Sequence, residues 1–64
     1  MTAQELINNP DYYEHHTASR RGYLSRKSEQ QVEEYSGKFG KGFILVTPRY
    51  DTTQYVYVTY YIHK

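Results

Sequence analysis

Residues 54–63 read Gln-Tyr-Val-Tyr-Val-Thr-Tyr-Tyr-Ile-His, and this alternation constrains the fold more than any other stretch of the chain. Side chains of a β-strand project to opposite faces with a period of two. Val56, Val58, Tyr60 and Ile62 therefore share one face, while Tyr55, Tyr57, Thr59, Tyr61 and His63 share the other. The first set suits a core. The second is a row of rings with polar tips, better suited to a contact surface than to a dry interior.

Such a strand needs neighbours, and the preceding residues supply them. Phe43-Ile44-Leu45-Val46-Thr47 is apolar on both faces, as in a strand covered on both sides. Pro48 ends that strand or moves it to an edge. The glycine-rich stretch 37–42 is a turn, and residues 49–53 form the loop into the final strand. Setting Val46 opposite Val56 and Ile44 opposite Val58 gathers the aliphatic residues and leaves Phe43 and Leu45 beside the tyrosines. Residues 22–26 read as a further short strand, with Tyr23 and Leu24 on opposite faces. Residues 28–36 fit two patterns. Ser28-Glu29-Gln30-Gln31 matches a capping box with Gly37 as a helix C-cap, whereas the short spacing to the next segment favours a strand.

Upstream of residue 20 the signals are helical. Thr2-Ala3-Gln4-Glu5 is a capping box followed by the small apolar face of Leu6 and Ile7. Asn9 and Pro10 suit the cap and first position of a second short helix through Asp11-Tyr12-Tyr13-Glu14. Helices this short are unstable alone in water and must dock. The fold expected is α+β in one small domain, residues 1–64. An acidic helical arm, 1–19, packs on a three- to four-stranded antiparallel meander formed by 20–64.

Composition bounds the rest. The chain has 64 residues, close to the lower limit for unassisted folding. Leu, Ile and Val together number only ten, so nine tyrosines and two phenylalanines must supply much of the apolar area. There is no cysteine, which excludes disulfides and thiolate metal sites. No apolar run approaches the roughly 18 residues of a membrane span, and the N-terminus lacks the pattern of a secretory signal. A cytoplasmic protein without membrane association is expected.

Charge is uneven along the chain. Residues 1–19 hold Glu5, Asp11 and Glu14 and no base, a sum of −3; residues 20–64 hold all eight bases against Glu29, Glu33, Glu34 and Asp51, a sum of +4. An acidic head on a basic, tyrosine-rich body points to a polyanionic partner. The expected function is therefore a small non-enzymatic nucleic-acid-binding accessory protein. Arg20, Arg21, Arg26, Lys27, Lys38, Lys41 and Arg49 would meet phosphates, and Tyr23, Phe39, Tyr50, Tyr55, Tyr57 and Tyr61 would stack on bases at about 1–3 kcal/mol each. The alternative is a small phage- or plasmid-type inhibitor or adaptor, binding a host protein complex through the same face, since tyrosine and arginine also anchor protein interfaces. The charge-free terminal strand, if it is an edge, suits pairing into a homodimer. Lys41-Gly42-Phe43 resembles the opening of the RNA-recognition consensus, but Ile44 and Pro48 depart from it and no family is assigned.

Catalysis and cofactors are not expected. His15 and His16 are adjacent, and neighbours at i and i+1 diverge on a helix or a strand. With only His63 left elsewhere, no metal site is expected. Glu33 and Glu34 diverge in the same way, so they make a poor acid–base pair. The chain is also small for a pocket of about 300–1,000 Å³.

Overall fold

The computed structural model describes residues 1–22, 29–49, 51–52 and 54–64. They form helix α1 (Ala3–Ile7) and strands β1 (Tyr12–Arg21), β2 (Gln31–Gly37), β3 (Gly40–Pro48) and β4 (Tyr55–His63). The strands make one antiparallel sheet in the order β1-β4-β3-β2. β2, β3 and β4 are the expected meander, and the strand reading of 28–36 holds for Gln31 onward. β1 joins out of sequence, beside β4. The connection 22–30 thus links opposite edges of the sheet, a Greek-key order with the long connection first. The short strand expected at 22–26 lies outside the described residues apart from Gly22.

The capping box forms as read. The Glu5 amide donates to Thr2 Oγ1, and the Thr2 amide donates to Glu5 Oε1, both at 3.2 Å. These bonds, the backbone one foremost, hold the Glu5 carboxyl below its ordinary range. Leu6 is fully buried, so the helix is docked and does not depend on its own marginal propensity.

The second helix does not form. Asn9 accepts the Tyr12 amide at its carbonyl (3.3 Å) and the Asp11 amide at its side chain (2.9 Å). With Pro10 between, this is a turn in which the Asn side chain mimics backbone, and it leads straight into β1. Residues 12–21 then pair along β4, and the boundary expected between 19 and 20 falls inside a strand. Ladder pairing with a long neighbour outweighs a local helical signal of four residues.

β1 carries a bulge. Tyr13 pairs with Ile62 and His16 with Tyr60, leaving His15 extra. Past this point the parity of β1 changes. Tyr13, His16, Ala18 and Arg20 lie on the Ile62–Tyr60–Val58–Val56 side, and Tyr12, Glu14, Thr17, Ser19 and Arg21 lie on the tyrosine side.

The two faces of β4 separate as read. Val46, Val56, Val58, Tyr60 and Ile62 form the core, with Tyr35, Phe39 and Ile44 packed against it. The hairpin register differs from the expectation by two residues: Val46 pairs with Val58, Ile44 with Tyr60, and Pro48 with Val56. A shift of two conserves which face each residue takes, so the sorting survived the error. On the opposite face Leu45 and Thr59 are paired and only 3% and 8% exposed. The chain itself covers the middle of the tyrosine face. β4 is flanked by β1 and β3, so its backbone cannot pair with another molecule; among the described residues the outer strands are β1 and β2, with no further strand beside either. Among the described residues no helix is long and apolar enough to cross a membrane.

Candidate binding surface

Burial of Thr59 and Leu45 splits the tyrosine ladder into two ends. At one end Tyr55 and Tyr57 remain 41% and 42% exposed. Arg21 lies opposite Tyr55, and Ser19 and Thr47 flank Tyr57. The Arg49 guanidinium sits over the Tyr57 ring, 5.1 Å from its centroid. Its position is fixed from three sides: Nε donates to Asp51 Oδ1 at 3.0 Å, Nη2 donates to Asp51 Oδ2, and Nη1 donates to Ser19 Oγ at 2.8 Å. This charge-assisted fork holds the Asp51 carboxyl below its ordinary range and raises Arg49 further. The pair neutralises most of the charge that Arg49 brings to the surface.

At the other end Tyr61 is half-buried. Burial first, then the charge of Glu14 and a hydrogen bond to it, push its hydroxyl above the ordinary tyrosine range. Tyr12 meets Phe43 and His63 edge-on, at centroid distances of 5.6 and 5.1 Å. These three rings, with Glu34, Tyr35 and Lys41, line an open cleft of about 660 Å³.

The remaining candidates are dispersed. Arg20 lies on the aliphatic side with its guanidinium 5.7 Å from the Tyr60 centroid. Lys38 lies 5.1 Å over the ring of its neighbour Phe39 in the β2–β3 turn. Phe39 folds onto the core face, within 5.5 Å of Tyr60, and offers no free ring for a base. Lys41 is at the cleft, at the far end of the sheet from Tyr55 and Tyr57. Tyr23, Arg26, Lys27 and Tyr50 lie outside the described residues. Among the described residues, Arg21 and the paired Arg49 are the bases beside the exposed tyrosines.

The histidines depart from expectation. The bulge brings both rings to one side, where Nδ1 of His15 and Nδ1 of His16 share a hydrogen bond at 2.5 Å and both rings contact Phe39. No group of three or more metal-ligating side chains occurs among the described residues. Glu33 and Glu34 do diverge, facing Ile44 and Phe43 across β3. Ser19 and Asp51, which hold Arg49, carry no sequence signal of their own. Their role arises only when Ser19 of β1 and residues 49 and 51 meet at one end of β4.

Four antiparallel strands with one short helix define a small, mostly-β protein. No protein-family model matches this chain, and no curated protein or solved structure matches it either.

Proposed function

We propose that the chain is a small non-enzymatic binding protein that engages a protein partner through the Tyr55–Tyr57 end of its sheet. The observation that carries this reading is the exposure of two adjacent rings beside an arginine already fixed in place. Tyrosine and arginine are enriched among interface hot spots, and side chains held before contact lose less entropy on binding. The notion of an inhibitor or adaptor is preferred over nucleic-acid binding because of charge placement. A phosphate-tracking groove needs several unneutralised cations in a row. Here Arg49 is compensated by Asp51, Arg20 sits on the other side of the sheet, and Lys41 lies beside Glu34.

The test is co-purification of the tagged chain from cells that encode it, with and without nuclease. A stoichiometric protein retained after nuclease, and lost by the Tyr55→Ala/Tyr57→Ala variant, is the expected result. Material that vanishes on nuclease treatment would return the assignment to nucleic acid, with Arg21 and Arg49 as the first phosphate contacts to remove.

A further inference from the structure

We infer that the two outer edges of the sheet, which pair with no further strand among the described residues, are complementary to each other, and that copies of this chain add head to tail, β1 of one molecule pairing with β2 of the next.

Strand direction permits it. The order β1-β4-β3-β2 is antiparallel throughout, so β1 and β2 run in opposite senses. A second molecule placed beside the first with the same face up continues an antiparallel sheet. Backbone phase permits it too. The Gly22 amide bonds to the Gln54 carbonyl, which directs the even-numbered residues of β1 after the bulge toward β4. The donors and acceptors of Thr17, Ser19 and Arg21 therefore face outward. Carrying the alternation through the registers of β4 and β3 leaves Val32, Glu34 and Ser36 facing outward from β2.

The bulge and the charges choose the register. The bulge at His15 ends regular pairing on that side, so the usable edge is 16–21. Setting it against 32–37 places Thr17, Ser19 and Arg21 opposite Ser36, Glu34 and Val32, which brings the outward backbone groups together. In this register Arg20 faces Glu33 directly on the aliphatic side, and Arg21 is diagonal to Glu34 on the tyrosine side. All four side chains are exposed, and among the described residues none of them has an ion pair. Edge charges commonly prevent sheet pairing. Here they oppose β1–β1 and β2–β2 contacts, which would join like charges, and favour the unlike pair. Such a contact is heterologous and does not close on itself, so it builds rows and not dimers.

The test is sedimentation equilibrium of the purified chain over a wide concentration range, with two reversal variants, Arg20→Glu/Arg21→Glu and Glu33→Lys/Glu34→Lys. Wild type should rise at least twofold above the 7.7 kDa monomer mass with concentration. It should fall back in about 1 M salt, where the screening length is about 3 Å. Each variant alone should stay monomeric. An equimolar mixture of the two should associate, because each then meets an edge of opposite charge. A wild-type chain that remains monomeric throughout, or a mixture that associates no more than its components, overturns the inference and leaves the edges to strands of other proteins.

Discussion

Replacing Gly42 with alanine tests whether the close approach of β3 to β4 is a structural requirement. A Cβ at this position would lie 2.0 Å from the Tyr61 carbonyl oxygen and 3.0 Å from Ile62 Cα, both backbone atoms. Gly42 does not have a positive φ, so alanine suits the local conformation and the cost is steric. A carbon needs about 3.5 Å of separation, so the strands must part by about 1.5 Å. About two ladder bonds are then lost, at roughly 1 kcal/mol net each. Overpacking adds about 1–3 kcal/mol, giving a total near 3–5 kcal/mol. A domain of this length has about 3–10 kcal/mol in all, so Gly42→Ala should lose from about a third to all of its stability. Urea melts followed by far-ultraviolet circular dichroism provide the measurement. Gly22→Ala is the control, because its Cβ meets only a Val56 methyl at 3.1 Å and the side chain can give way. A Gly42→Ala chain within about 1 kcal/mol of wild type would refute the reasoning.

Other substitutions probe the remaining features. Tyr60→Ala should cost about 3–5 kcal/mol, since the ring is buried against His16, Tyr35 and Phe39, whereas Tyr57→Ala should cost under about 1 kcal/mol; paired thermal melts compare them. Thr2→Ala should remove about 1 kcal/mol of helix capping and return the Glu5 carboxyl only partly toward its ordinary range, because the residue 2 amide that is the larger cause remains; NMR titration reads the change. The Glu5 carboxyl is depressed in the fold, so its contribution is present above its unfolded value and is lost as pH falls through the folded one; α1 resonances should shift on acidification. Tyr61 has the opposite sign. Its raised folded value gives stability that is full below about 10 and lost as pH rises through the folded value. Phenolate absorbance should show Tyr61 ionising late, and Glu14→Gln should bring it only partly back, because burial is the larger cause.

Much of the architecture was legible because β4 alternates cleanly and period two is a strong signal. Its faces, its hairpin with β3 and the capping box at Thr2 all follow from local pattern. Parity, however, does not fix offset, and the β3–β4 register slipped by two because loop geometry sets it. β1 was missed for a different reason. Its bulge interrupts the alternation between Glu14 and His16, and the Asn9-Pro10 pair serves as a turn where it was read as a cap. Missing the bulge also hid the convergence of His15 and His16. The candidate site was legible at Tyr55 and Tyr57, whose exposure follows from facing away from the core. The gathering of bases around them was not, because linear clustering of charge says nothing about which edge or face each residue reaches.

The central place of β4 bears on how the molecule is made. As the chain leaves the ribosome, β2 and β3 can zip together early, but β1 waits unpaired until the last strand emerges and slots between it and β3. Folding is therefore completed by contacts of long sequence separation, which makes the closing step slow relative to hairpin formation. A nascent chain stalled before residue 55 has no sheet to join its first strand to its third, and should be an early substrate for proteases and chaperones.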